Sequence, residues 1–137
     1  MNQFRVILII AFLMISAPLC FAKTKAKTKI HKDELAKIEW QILDNRRHSW
    51  EDAITNCKNL GKGWELPTKE DFESALNGPV LISIPEVDSR KNDPFWSQSK
   101  FDTFRVHVLV QGKIDLRDVN SEDQPVMYSV ICRKKLK

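Results

Sequence analysis

The sequence predicts an α+β domain in which two helices pack on a small, mostly antiparallel sheet. Two segments carry apolar residues at helical spacing behind a capping residue, and the second half of the chain alternates apolar and polar residues as strands do. Cys57 and Cys132 fall on the apolar faces of the first helix and of the last strand. A disulfide between them would link the N- and C-terminal parts of one domain.

Residues 1–22 have the features of a secretory signal peptide. Arg5 supplies a positive start, residues 6–15 form a short apolar run, and residues 20–22 resemble a small-x-small cleavage site. The apolar run is short for a bilayer span, so we expect no transmembrane anchor after cleavage. Lipid attachment at Cys20 is the less favoured alternative, because Leu19 is bulky for that processing signal. The sequence therefore predicts an exported protein, either periplasmic or secreted.

Cleavage leaves about 115 residues, which is the size of one domain with a modest core. It also leaves Cys57 and Cys132 as an even pair in an oxidising compartment, where we expect a structural disulfide. The loop that this bond closes is about 75 residues long, which corresponds to at most roughly 4 kcal/mol of stabilisation.

The basic charge of the chain lies in its tails. The formal net charge is +4, yet residues 33–132 hold 12 basic and 18 acidic residues. We treat residues 23–36 as a basic flexible arm, and residues 37–135 as the folded domain. The arm either attracts polyanions, such as a glycan, or is a solvated linker, which its composition favours. It has no interleaved aromatic residues, so we expect no nucleic-acid partner.

The helices are predicted from capping signals. A half-buried strand over residues 38–42 precedes a helix that Ser49 caps and Gly61 ends. The second helix follows Pro67, with Thr68 as its cap, and ends at residues 77–79.

The rest of the domain is predicted to be loop and strand. Residues 80–84 form an apolar patch, and residues 85–94 read as a long surface loop. A short strand at residues 95–98 precedes a hairpin of residues 104–110 and 113–117, with its turn at 111–112 and with Phe104 in the apolar set. After an acidic loop, residues 126–132 form the closing strand.

Four sequence blocks carry a resemblance to a known family. They are residues 50–53 with Cys57, residues 63–71 (GWELPTKED), residues 95–99 (FWSQS) and residues 130–133 (VICR). In this order they resemble the Lcl C-terminal domain family, an exported bacterial domain that ends a collagen-like adhesin. The resemblance covers residues 38–134 and implies a C-type lectin-like fold with a Cys57–Cys132 disulfide. For the block residues we favour structural roles, in the core or at a helix start: Trp50, Trp64, Leu66, Pro67 and Thr68.

The sequence offers no signature of catalysis, and we expect no enzyme activity, no catalytic residues and no cofactor. His31, His48 and His107 lack metal-ligand spacing, and no phosphate loop or nucleophile elbow occurs. The acidic loop has no recognisable calcium motif, so we expect no metal either.

The function hypothesis is a non-enzymatic, adhesin-like recognition module that binds a glycan or a partner protein at the cell envelope or outside the cell. Its surface would combine the long loop with the outward face of the hairpin. Six residues are the candidates for ligand binding, and an ordinary solvated surface is the alternative for each of them: Arg90, Lys91, Trp96, Arg105, His107 and Arg117. The rival hypothesis is a periplasmic structural or assembly subunit without a ligand pocket, whose contact is the basic tail or a strand edge. The oligomeric state is not predicted.

Overall fold

The computed structural model describes residues 29–122 and 124–137. These residues contain four helices, and nine strands that form small antiparallel sheets. The α+β class is therefore confirmed. The predicted signal peptide and residues 23–28 of the arm lie outside the described residues. In chain order the elements are β1 (Ile30–Asp33), β2 (Ile38–Ile42), α1 (Trp50–Lys58), β3 (Trp64–Glu65), α2 (Lys69–Leu76), α3 (Val80–Ser83), α4 (Pro85–Ser89), β4 (Phe95–Lys100), β5 (Arg105–Val110), β6 (Lys113–Asp118), β7 (Asn120–Ser121), β8 (Gln124–Pro125) and β9 (Ile131–Lys135).

The largest sheet has the strand order β1-β2-β9-β3, with every neighbouring pair antiparallel. The closing strand β9 thus lies between two strands from the start of the domain. Cys132 faces Gln41 of β2 in this register and is bonded to Cys57 of α1, with 5.4 Å between the two Cα atoms. The predicted disulfide is therefore present, and it fixes α1 against the sheet.

Strand β1 corrects the predicted start of the domain. The sequence analysis assigned residues 23–36 to a flexible arm, but Ile30 to Asp33 pair with β2 along their whole length. Asp33 is only 1% exposed, and its Oδ1 accepts a hydrogen bond from the backbone N–H of Ala36. The polar composition of the arm concealed this strand, because its hydrogen bonds are made with β2 and not within the segment.

The two predicted helices are present with the predicted caps. The Ser49 hydroxyl accepts from the backbone N–H of Asp52 at the start of α1. At the start of α2, Thr68 and Asp71 form a reciprocal capping box. Each cap satisfies backbone donors that a helix start leaves free.

The predicted surface loop at residues 85–94 is partly helical. Short helix α4 follows α3, and Val87 of α4 is buried with Leu81 and Ile84. These three residues recur every third position, which is a helical spacing, and Pro85 stands at the first turn, where a proline is tolerated. The density of turn-forming residues hid this pattern.

The second sheet contains β4, β5 and β6 in that order, and its hairpin turn is as predicted. Gln111 and Gly112 both have positive φ, 52° and 69°, as a tight turn between twisted strands requires. Phe104, predicted on the buried face, is 70% exposed instead. It belongs to the turn before β5, so the alternation of that strand does not apply to it.

Buried residues form two clusters that flank the main sheet. One surrounds the parallel rings of Trp40 and Phe72, whose centroids are 6.0 Å apart. The other surrounds the disulfide and includes Trp50, Trp64 and Trp96. The regular part of the closing strand begins only at Ile131, but Val126, Tyr128 and Val130 pack on the disulfide cluster as their alternation predicted.

Candidate functional site

The four sequence blocks meet in space. Trp50 Nε1 donates to the Ser97 carbonyl at 2.8 Å, and Gln98 N donates to the Pro67 carbonyl at 2.7 Å. Lys69 N donates to the Ser99 hydroxyl at 2.9 Å. These bonds join the first three blocks through strand β4, and Trp50, Trp64 and Leu66 are buried beside them. The block residues therefore stabilise the scaffold. A ligand-binding surface would be formed by other residues.

One open surface lies where the segment after α4 approaches the turn between β5 and β6. Gln111 N donates to the Lys91 carbonyl at 2.8 Å, and Gln111 Nε2 donates to Asn92 Oδ1 at 3.1 Å. These two bonds tie the segment after α4 to the hairpin turn, although the two are about twenty residues apart in the chain. The two sides of this surface, the segment after α4 and the hairpin turn, are therefore held together in the absence of a ligand.

A cavity of about 170 Å³ opens between these two elements, and we name it the α4 cleft. Its floor is apolar, because Val87, Phe95 and Leu109 are all buried side chains of the core. Groups that can form hydrogen bonds surround this floor. The complete lining is Ile82, Val87, Asp88, Lys91, Asp93, Phe95, Leu109, Gln111 and Gly112.

The rim of the α4 cleft is close to neutral. Asp93 is occupied by an ion pair with Arg47, 2.6 Å between Oδ1 and Nη2. Asp88 and Lys91 are exposed and have no ion-pair partner within 4.0 Å among the described residues. The rim therefore presents one free carboxylate and one free ammonium group, and with its apolar floor it suits a ligand with an apolar face and hydrogen-bonding edges.

A second depression, which we name the β6 groove, adjoins the α4 cleft at Gln111. It is lined by Asn92, Pro94, Val110, Gln111, Lys113, Ile114, Asp115 and Arg117. Arg117 Nη1 lies 2.6 Å from Asp115 Oδ2, so the charge of this guanidinium is largely balanced inside the groove. Of the six predicted ligand residues, Lys91 thus lies at the cleft and Arg117 at the adjoining groove.

Two of the six predicted residues are structural. Trp96 is fully buried, and its Nε1 donates to the His48 carbonyl at 2.8 Å, so its assignment to a binding surface is wrong. Arg90 is half-buried, and its guanidinium donates to the Asp44 carbonyl, to Asn45 Oδ1 and to the Ser129 hydroxyl. It joins α4 to the loop after β2. Arg90 lies within the predicted loop and Trp96 beside it, but both side chains turn inward.

Arg105 and His107 lie on one face of β5, outside the lining of either depression. The Arg105 guanidinium is paired with Asp102 at 2.7 Å. His107 Nδ1 lies 3.1 Å from the Ser99 carbonyl, and its ring is steeply inclined to the Phe101 ring, with 6.1 Å between the two centroids. The structure therefore does not bring the six predicted residues into one site.

His48 forms contacts near the start of α1. His48 Nε2 lies 3.0 Å from Asp44 Oδ1, and Asn56 Nδ2 lies 3.3 Å from the other ring nitrogen, so this ring supports the loop before α1. Within residues 29–122 and 124–137, no group of three His, Cys, Asp or Glu side chains is placed to hold a metal ion. In the same residues no helix has the length and hydropathy that crossing a membrane requires.

Most of the cleft lining was not identified from the sequence. Val87 had a detectable signal, since it lies three residues after Ile84 and six after Leu81, whereas Leu109 is out of phase with the alternation of Val106 and Val108. Asp88 and Gln111 had no such signal, because a polar residue at a helix end or in a turn is ordinary.

No family model matches this chain, and no curated protein is significantly similar to it.

Proposed function

We propose that this protein is an exported, non-enzymatic recognition module that binds its ligand in the α4 cleft. The observation that carries the proposal is the combination, in one concave site, of a buried apolar floor with free hydrogen-bonding groups on the rim. Such sites are typical of ligand binding, whereas isolated exposed charges are common on any surface. The resemblance to the Lcl C-terminal domain family, and with it the C-type lectin-like fold, supports the same function.

The ligand is a glycan or a side chain of a partner protein, with an uncharged face against the floor. A polyanion is disfavoured at the cleft, because Lys91 is its only free cation among the described residues and Asp88 stands three positions before it. A cavity of about 170 Å³ accommodates one sugar ring or one large apolar side chain, not an extended chain. A longer ligand would continue into the β6 groove, past Gln111.

Glycan arrays and pull-downs from envelope extracts, both with the exported protein, test this proposal. Once a ligand is identified, Lys91→Gln and Asp88→Asn should each weaken its binding by about tenfold, the loss expected for one hydrogen bond to a charged group. Lys58→Gln, at an exposed position of α1 outside the cleft, is the matched control and should bind as the wild type does. A ligand whose affinity is the same for both cleft variants and for the control would refute the site.

The alternative is a periplasmic structural or assembly subunit. It is favoured by the edge of β1, which among the described residues pairs only with β2, and by two exposed apolar residues there, Ile30 and Leu35. Exposed strand edges can pair with a strand of another protein. An envelope protein that co-purifies with Lys91→Gln but is lost with Ile30→Asp and Leu35→Asp would support this alternative over the cleft.

A further inference from the structure

The turn between β4 and β5, residues 101–104, exposes two phenylalanines. Phe101 is 56% exposed and Phe104 is 70% exposed. Aromatic side chains of this size are normally a large part of a domain core, and two of them exposed within four residues of one tight turn are unusual. We name residues 101–104 the Phe turn.

The Phe turn is held in one conformation by Asp102. Its Oδ1 accepts the backbone N–H groups of Phe104 and Arg105 at 2.9 and 2.8 Å, and its Oδ2 accepts Nε of Arg105 at 2.8 Å. The backbone N–H of Phe101 also donates to the Arg105 carbonyl. Because the turn is already ordered, docking of its rings would cost little further conformational entropy.

The Phe turn and the α4 cleft lie at opposite ends of one strand. β5 begins at Arg105, directly after the Phe turn, and ends at Val110, directly before Gln111 and Gly112 of the cleft lining. A strand of six residues spans about 20 Å, and β4 and β6 pair with it on both sides. The Phe turn of one molecule therefore does not reach its own cleft, and the two surfaces can meet only between molecules.

The two surfaces match in size and in apolar character. The cleft, about 170 Å³, accommodates one large apolar side chain above its floor of Val87, Phe95 and Leu109. Ile82, which is 51% exposed, adds an apolar side chain to the cleft lining. Phe104 is the more exposed of the two rings, and its insertion would cover apolar surface on both partners.

Neither surface carries a net charge. At the Phe turn two cations and two carboxylates balance: Lys100, Arg105, Asp102 and Asp118. At the cleft, the two groups without an ion-pair partner among the described residues have opposite signs, Asp88 and Lys91. No excess of like charge opposes docking, and each surface offers the other both a cation and a carboxylate.

We propose that the Phe turn of one molecule docks into the α4 cleft of a second copy of this chain. The inference rests on the proposed role of the cleft as a binding site, and it adds a second copy as a partner that competes there with the ligand. Because two different surfaces meet, the contact is head-to-tail, and its repetition gives a ring or an open chain. One turn in one cleft is smaller than the about 1,200 Å² that stable interfaces bury, so the association should be weak and reversible.

Sedimentation velocity of the purified exported protein over a range of concentrations tests this proposal. The wild type should associate as its concentration rises, with little effect of added salt, since neither surface has a net charge. The turn variant, Phe101→Ser with Phe104→Ser, should weaken the association by about tenfold or more, from the lost burial of a ring. The cleft variant, Ile82→Lys, should also weaken it by about tenfold, because an ammonium group would lie against an apolar ring. The replaced side chains are exposed, so both variants should keep the fold, which circular dichroism verifies.

A mixture of the two variants is the sharpest measurement. The turn variant keeps an intact cleft and the cleft variant keeps an intact Phe turn, so one contact can still form between them. Equal amounts should therefore give a heterodimer and nothing larger, although each variant alone stays monomeric. Leu35→Ser is the matched control, since Leu35 is 76% exposed and belongs to neither surface, and it should associate as the wild type does.

The proposal fails if the wild type or the mixture stays monomeric at every concentration. It is also overturned if the cleft variant alone associates as the wild type does, which would assign the contact to two Phe turns. Loss of the association in added salt would assign it to the charged tails instead. The proposed function is tested separately, because the turn variant retains the whole cleft lining and should still bind the cleft ligand.

Discussion

Arg133 Nε donates a 2.8 Å hydrogen bond to Asp71 Oδ2, the same oxygen that accepts the backbone N–H of Thr68 at the start of α2. Both side chains are more than nine-tenths buried. A second guanidinium nitrogen of Arg133 lies 2.9 Å from Glu65 Oε2. One carboxylate therefore caps a helix and anchors the closing strand, and it links two of the sequence blocks.

Replacement of Asp71 should be strongly destabilising. Asp71→Ala removes the cap and leaves the buried guanidinium with only the partly exposed Glu65, so we expect a loss of about 3 kcal/mol in the free energy of unfolding, measured in urea. Glu73→Ala, at an exposed position of the same helix, should cost less than about 0.5 kcal/mol. The addition of Arg133→Met to Asp71→Ala should recover part of the loss. If Asp71→Ala and Glu73→Ala lowered the free energy of unfolding equally, the stabilising role of the Asp71–Arg133 pair would be refuted.

Loss of the disulfide should lower stability without changing the fold. The bond closes a loop with a sequence separation of 75, and the double variant Cys57→Ala and Cys132→Ala should lose at most about 4 kcal/mol. The urea midpoint of this variant should match that of the reduced wild-type protein to within the small effect of the substitution itself. A wild type whose urea midpoint is insensitive to reductant would contradict this expectation.

Trp96 should affect stability and not binding. Trp96→Phe keeps most of the buried ring but removes the N–H group that donates to the His48 carbonyl. Because that carbonyl then loses its partner, we expect the free energy of unfolding to fall by about 1–3 kcal/mol. Ligand affinity per folded molecule, measured well below the unfolding temperature, should be unchanged. A selective loss of affinity would restore Trp96 to the binding surface.

Asp44 should make a small contribution to stability that disappears in acid. Burial alone would raise the pKa of this carboxyl, but its hydrogen bonds with His48 and with Arg46 outweigh burial and hold the pKa below the ordinary 3.8. A lowered pKa in the folded state stabilises the protein above the pKa of the unfolded chain, and this stabilisation is lost as the pH falls through the folded-state value.

The measurement is Tm as a function of pH for the wild type and for Asp44→Asn. The wild type should have the higher Tm at neutral pH, and the difference should shrink as the pH falls below 3.8. The side chain is partly exposed, so the whole effect should be modest. A difference that grows in acid would have the wrong sign and would refute the assignment.

Local signals in the sequence predicted the elements that local physics controls. Ser49 and Thr68 cap their helices with side-chain oxygens that reach only three residues along the chain, and Gln111-Gly112 adopts a turn that its own backbone favours. β1 and α4 were missed for different reasons. β1 pairs with the nearby β2, but its polar sequence carries no alternating apolar pattern. α4 is stabilised where Val87 packs in a core cluster with residues distant in sequence, such as Phe95 and Leu109.

The candidate site shows the same division. Lys91 and Arg117 were predicted from charge and position, and both lie at a depression. Arg90 met both criteria and Trp96 met the criterion of position, yet their side chains turn inward to carbonyls about 46 and 48 residues earlier in the chain. Exposure is a property of the packed molecule, and residue type alone does not determine it.

The sequence by itself determined the α+β class, the two capped helices, the β5–β6 hairpin and the presence of Cys57 and Cys132 on opposing apolar faces, because each follows from periodicity or from contacts within a few residues. Only the tertiary structure decided that β1 belongs to the domain, that Arg133 shares the cap of α2, and that a cleft opens between α4 and the hairpin turn. The shared cap and the cleft depend on contacts between residues distant in the chain, and β1 depends on pairing with β2 that its polar sequence does not indicate, so a linear pattern specifies none of the three.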